Sequence, residues 1–201
     1  MSKINKSLLV GLIIGAFVIS QGCRAQNSVK DEVYSNSKTP TANSQKEQPN
    51  QSVVIGADNY SGADKLAKFE EAAKRNSKDA KAQFDAGVSS YVNKDNEKAI
   101  KYYKLAIEND PSNAVAYNNL GNVYFRGLNK PKDALQYYEK ATRINPAFAY
   151  GWLNLALCNK DLGSLDAAKQ AVKESLTRVA VTDQLYKSLQ ELGKTLEQTK
   201  K

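Results

Sequence analysis

Apolar residues fall into three regimes along this chain. From Leu8 to Ile19 they form one block, LLVGLIIGAFVI. Its twelve residues reach about 18 Å as a helix, short of the roughly 30 Å hydrocarbon core of a bilayer. With Lys3 and Lys6 ahead of it, the block reads as an export signal rather than a membrane span. From Asn27 to Asp58 apolar residues nearly vanish, apart from Val29, Val33, Tyr34 and Val53-Val54-Ile55. Ser, Asn, Gln, Lys and Thr dominate there, with Pro40 and Pro49. Such a stretch cannot bury enough surface to offset the entropy of ordering it, so a flexible tether is expected. From Ala63 onward apolar residues return at helical spacing. Leu66, Phe69, Ala72 and Ala73 make one stripe. Leu185, Leu189, Leu192 and Leu196 make another near the C-terminus.

Between those stripes the pattern repeats. Ala86-Gly87 recurs as Leu120-Gly121 and Leu155-Ala156, Ala99 as Ala134 and Ala168, and Tyr103 as Tyr138 and Val172. Ala106 recurs as Ala141 and Ser175, and Pro111 as Pro146, at offsets of 34 or 35 residues. A small residue where two helices cross lets their backbones approach, an aromatic fills the space between hairpins, and Pro stops the second helix. One hairpin cannot cover its own apolar face, so units must stack. Gly87 to Gly121 spans 34 residues but Ala99 to Ala134 spans 35. The extra residue therefore lies before Ala134, and a wider, protruding turn is expected over Gly127–Pro131.

This register resembles the tetratricopeptide repeat, a helix–turn–helix unit of about 34 residues. Tyr117, Leu120, Gly121, Tyr124, Ala134, Tyr138, Ala141 and Pro146 occupy its signature places in the middle unit. Trp152, Leu155, Ala156, Gly163 and Ala168 do so in the last unit, and Ala86, Gly87, Ala99, Tyr103, Ala106 and Pro111 in the first. The expected fold is all-α: a short α-solenoid of three such hairpins with flanking capping helices, after a signal peptide and tether. The expected organisation is a signal peptide over 1–22, a lipidated Cys and tether over 23–60, and an N-terminal packing helix over 61–79. Hairpins follow over 80–113, 114–148 (with the extra residue) and 149–182, then a capping helix over 183–201.

The signal ends Ile19-Ser20-Gln21-Gly22-Cys23, which resembles the bacterial lipobox. That resemblance implies cleavage before Cys23 and a diacylglycerol on its sulfur. Further acylation would make the anchor stable, since one chain alone binds reversibly. Ser20 and Gln21 depart from the usual Leu-Ala or Leu-Ser. Arg24 stands where an inner-membrane retention signal would carry Asp. The implied location is the periplasmic face of an outer membrane where the cell has one, and otherwise the outer face of the plasma membrane.

Composition narrows the function classes. The formal net charge is +8, yet the charges are interspersed. Glu70–Lys74, Glu97–Lys101, Glu139–Arg143 and Glu174–Arg178 stand in the favourable i,i+4 order of solvated helix faces. A nucleic-acid surface would need a basic stripe with interleaved aromatics, and none stands out. The sequence holds no histidine and only two cysteines, Cys23 and Cys158. The commonest general base and zinc ligand are thus missing, and no phosphate loop or nucleophile elbow occurs. No enzyme activity, cofactor or metal is expected. Cys158, beside Leu157 on a helix, reads as a small buried hydrophobe.

In the tetratricopeptide family the first helix of each unit lines a concave groove. The resemblance carries groove places onto Asp85 and Tyr91 in the first unit. It carries them onto Asn118, Asn119, Asn122, Phe125 and Arg126 in the second, and Tyr150 and Asn154 in the third. Asp85, Asn119 and Asn154 share one place in successive units. A carboxamide both donates and accepts, as gripping a peptide backbone requires. The alternative is that these asparagines satisfy groups between helices. The expected partner is an extended protein segment, with the membrane engaged through the N-terminal lipid. A second reading is self-association through the Leu185–Leu196 stripe.

Overall fold

The computed structural model describes residues 57–199, and these are helical throughout, with no strand among the described residues. The export signal, Cys23 and most of the expected tether lie outside them. After a short turn at Ala57–Asn59 come α1 (Ala63–Arg75), α2 (Ala80–Val92) and α3 (Asn96–Asn109). Next are α4 (Ala114–Asn122), extended by a π-helical turn at Val123–Gly127, and α5 (Pro131–Ile144). Then come α6 (Ala149–Asp161), α7 (Leu165–Arg178) and α8 (Tyr186–Gln198). The closest packing is within the pairs α2–α3, α4–α5 and α6–α7, and each pair stacks on the next. This is a short α-solenoid, flanked by α1 on α2 and α8 on α7. No described helix is long and apolar enough to cross a membrane.

Local chemistry repeats with the units. Asp79 caps α2 by accepting from Lys81 and Ala82 N–H, Asp95 caps α3 through Lys98 N–H, and Asn113 caps α4 through Ala116 N–H. Such caps satisfy donors that the helix leaves open. The backbone turn between units also recurs: Asp79 N–H reaches Asn76 O, Asn113 N–H reaches Asp110 O, and Phe148 N–H reaches Asn145 O. The first of these follows α1, so α1 leaves its turn as the second helices α3 and α5 do.

The core sits where hairpins cross. Tyr103 and Tyr138 are fully buried. A Cβ on Gly87 would lie 2.7 Å from the Tyr103 ring, and one on Gly121 would lie 2.7 Å from that of Tyr138. In the third hairpin Ala156 and Val172 take these places, both buried. Glycine is thus paired with a ring and alanine with a smaller side chain.

The extra residue of the middle hairpin does not loop out. In the first and third hairpins, the N–H of the residue before the second helix returns to a carbonyl five residues back: Asp95 to Ser90 at 2.9 Å, and Ser164 to Asn159 at 2.9 Å. In the middle one Lys130 N–H returns six residues back, to Tyr124 O at 2.8 Å, and Leu128 N–H bonds Val123 O at 3.0 Å. The helix end widens by one residue into a π turn, which keeps its amides bonded and α5 in register. Gly127 O then accepts from Asn96 Nδ2 at 3.1 Å, tying the widened turn to the first hairpin. Just before each second helix one residue adopts a left-handed conformation: Lys94 (φ 64°), Asn129 (φ 53°) and Gly163 (φ 73°).

Of the expected surface pairs, Arg178 and Glu174 form a two-pronged bond. Glu70 instead reaches between helices to Lys98 at 2.8 Å. The C-terminal leucine stripe faces inward. Leu189 and Leu196 are fully buried. Leu196 packs with Val172, and Leu189 packs with Val179 and Ala149. Leu185 and Leu192 of the same stripe are half-buried, so much of the surface expected to support self-association is turned against the helices before it.

Candidate functional site

The first helices α2, α4 and α6 carry the expected groove residues, and their asparagines are largely engaged with one another. Asn118 and Asn154 are buried, at 4% and 7% exposure. Asn154 Nδ2 donates to Asn118 Oδ1 at 2.9 Å, across from α6 to α4. Arg126 Nη2 donates to Asn154 Oδ1 at 3.1 Å, and Asn118 Nδ2 reaches Asn119 Oδ1 at 3.4 Å. The result is a polar ladder: Asn119, Asn118, Asn154, Arg126. Buried carboxamides need such partners, since an unmet donor or acceptor costs about 1–3 kcal/mol.

Sequence equivalence paired Asn119 with Asn154, whereas the structure pairs Asn118 with Asn154. On a helix, neighbouring residues point about 100° apart. The residue that meets the adjacent helix is therefore set by how the helices rotate against each other. Asn119 is left half-buried, beside the fully buried Tyr103. Burial drives that phenol far above its ordinary value, and the Asn119 side chain pulls it the other way. Asn122 is also internal, accepting from Tyr138 Oη at 2.9 Å.

Phe125 and Arg126 both sit in the π turn. Phe125 meets Tyr138 edge-on, with centroids 6.4 Å apart, and the Arg126 guanidinium lies 5.5 Å from the Phe125 centroid. That distance suits a cation–π contact. Both side chains thus belong to the widened turn, the ring packed on the core and the cation bonded to Asn154. In the third hairpin Tyr150 is half-buried, and its hydroxyl accepts from Gln184 at 3.2 Å. Tyr91 is half-buried against the cluster of Val88, Leu120 and Val123.

Asp85 is engaged as well. Tyr60 Oη donates to its Oδ1 at 3.2 Å, and Lys81 Nζ donates to its Oδ2 at 2.5 Å. Burial, then the Asp85 charge, raises the Tyr60 hydroxyl to about 12. Tyr60 and its second anchor, Asn93, were not singled out in the sequence. The only signal was a lone aromatic ahead of Ser-Gly at the end of a polar stretch. Cys158 is fully buried and donates to Pro131 O at 3.2 Å, and burial pushes its thiol up to about 11. It is a packing residue holding its proton at neutral pH, with little thiolate to react.

Comparison with known proteins follows this geometry. Tetratricopeptide repeat models match residues 91–127, 114–148 and 149–178. Residues 91–178 therefore carry tetratricopeptide repeats. The chain is 34% identical over 103 residues to the heat shock protein sti1 homolog of Schizosaccharomyces pombe, covering 51% of this chain and 17% of that one. It is 27% identical over 99 residues to the peroxisomal targeting signal receptor of Kluyveromyces lactis, covering 49% of this chain and 17% of that one. The chain thus spans about a sixth of the length of these curated relatives. The TPR2B domain of yeast Sti1, solved as a complex with pHsp70, superposes with a TM-score of 0.55 at 19% identity, over 60% of this chain and 98% of that one. That likeness shows the shared fold.

Proposed function

We propose that this chain is a membrane-anchored adaptor of a bacterial cell envelope, holding an extended segment of a partner protein along α4 and α6. Binding, not catalysis, is its role. The observation that carries the reading is the first-helix row itself: Asn119, Phe125, Arg126 and Tyr150 are left half-buried on the helices that the bonded Asn118–Asn154 pair joins. A bonded pair that fixes the two helices, with half-buried polar and aromatic groups along them, suits a peptide backbone and its side chains. Arg126, already over an aromatic face, suits a carboxylate or backbone carbonyl of the ligand. The repeats support the class, as do relatives named for a targeting-signal receptor and for heat shock proteins. The sequence supports the anchor through the lipobox-like end at Cys23.

The test is photo-crosslinking in native envelopes, with the crosslinking residue placed at Asn119 or, as a control, at exposed Lys140 on α5. A discrete protein adduct from position 119, absent from position 140 and lost with Arg126→Ala, is expected. Cys23→Ala should release the chain from the membrane fraction. Equal adducts from both positions would overturn the groove reading, and retention of Cys23→Ala on the membrane would overturn the lipid anchor.

A further inference from the structure

The entry to the first hairpin has the form of a bound peptide. Tyr60, Ser61 and Gly62 cross α2, and one carboxamide reads the backbone on both sides of Ser61. Asn93 Nδ2 donates to Tyr60 O at 3.1 Å, and Asn93 Oδ1 accepts Gly62 N–H at 2.9 Å. Ser89 Oγ adds a second donor to Tyr60 O, at 2.8 Å. Asn93 is itself held by donating to Ser89 O at 2.8 Å. Beyond the backbone, the ring is read too. Tyr60 stacks on Phe69 with centroids 5.0 Å apart and donates its hydroxyl to Asp85. Ser61 is exposed, so its side chain is not selected. Gly62 has φ 101°, a conformation that selects glycine, and open space where a Cβ would be. The ring contacts specify an aromatic residue, exposed Ser61 leaves the next one open, and the φ of Gly62 favours glycine in third place.

We propose that Asn93, Ser89 and Asp85 form a peptide-binding subsite at the first-hairpin end of the groove, selective for an aromatic-x-Gly segment and filled in cis by Tyr60-Ser61-Gly62. This rests on the groove reading above. The cis segment joins α1 directly, so its effective concentration is on the order of millimolar. A partner segment carrying the same pattern must outcompete that concentration to extend its hold from α4 and α6 onto α2. A segment without the pattern stays on the second and third hairpins. The chain's own link to the membrane anchor thereby sets the length of partner it accepts.

The test uses the full-length, 15N-labelled chain in detergent and a capped peptide copying Gly56–Gly62. The readout is the Asn93 side-chain amide resonance. In Tyr60→Ala, which vacates the ring seat, saturable shifts at about 1 mM peptide or below are expected. The unmodified chain should respond at least about tenfold more weakly, and Tyr60→Phe should fall between. Adding Asn93→Asp to Tyr60→Ala keeps the acceptor for Gly62 N–H and removes the donor to Tyr60 O. The peptide response at the Gly87 and Ser89 amides should then be lost, with helical circular dichroism unchanged. No saturable shift in both Tyr60→Ala and Tyr60→Phe, an equal response in the unmodified chain, or a response that survives Asn93→Asp would overturn the proposal. No partner protein is involved, so failure here leaves the Asn119 crosslinks standing. Failure of those crosslinks would instead remove the groove reading on which this proposal rests, whatever the peptide does at Asn93.

Discussion

Adding one methyl group at Gly121 tests the packing rule of the array most directly. Two effects oppose each other. Alanine is about 1 kcal/mol better than glycine inside a helix. Against that, the new Cβ would sit 2.7 Å from Tyr138 Cε1, 2.9 Å from Cδ1 and 3.0 Å from Cζ. Tyr138 has nowhere to go: it is fully buried, bonded to Asn122 and packed edge-on by Phe125. Overpacking of this kind costs about 1–3 kcal/mol, and straining the Asn122 bond adds up to about 1 kcal/mol. The ring contact wins, and Gly121→Ala should destabilise the fold by about 1–2 kcal/mol, or roughly 3–6 °C in Tm. The third hairpin shows how the strain is relieved, with Ala156 against Val172. In a double-mutant cycle, Tyr138→Val alone should cost about 3 kcal/mol through its cavity. Gly121→Ala plus Tyr138→Val should cost less than the sum of the two by about 1–2 kcal/mol. Urea unfolding followed by circular dichroism and by the single tryptophan, Trp152 of α6, measures all four corners. Stability at or above wild type in Gly121→Ala, or strict additivity in the cycle, would refute the reasoning.

Further predictions concern titration and the thiol. Burial and Asp85 raise the Tyr60 hydroxyl from 10 to about 12, so the fold favours its protonated form. That contribution to stability is complete below about pH 10, where the unfolded phenol titrates, and is lost between about pH 10 and 12. Alkaline unfolding curves should therefore flatten in that window in Tyr60→Phe, and an unchanged slope would contradict the assignment. In a Cys23→Ser background, Cys158 should resist thiol reagents at pH 7.5 until the chain unfolds, since its thiol is buried and raised to about 11. Rapid labelling of the native protein would show the third hairpin to be looser than described.

Much of the architecture is legible in the sequence, because it depends on local chemistry repeated in register. Asp79, Asp95 and Asn113 cap their helices through amides two or three residues on, a chemistry local to the chain. Pro111 and Pro146 stand just beyond helices that end at Asn109 and Ile144. The apolar stripes follow from helical periodicity alone, and so does the need to cover them. The extra residue of the middle unit could be located between Gly121 and Ala134 by counting.

What it does there could not be counted. A protruding turn and a widened helix end use the same residues. The choice falls to backbone bonds such as Lys130 to Tyr124 and to the Asn96–Gly127 contact between hairpins. Rotation of α4 against α6 likewise decides that Asn118, not Asn119, meets Asn154, although the two are adjacent in sequence and chemically identical. Burial of Leu189 and Leu196 against α7 decides that the C-terminal stripe closes the array instead of leaving it sticky. The seat of Tyr60 on Phe69 and Asp85 joins residues far apart in the chain. Local sequence thus determined the helices, their caps and their repeat, because those energies lie within a few residues. Only the tertiary structure decided which polar groups remain open for a partner, because that depends on which helix face each neighbour covers.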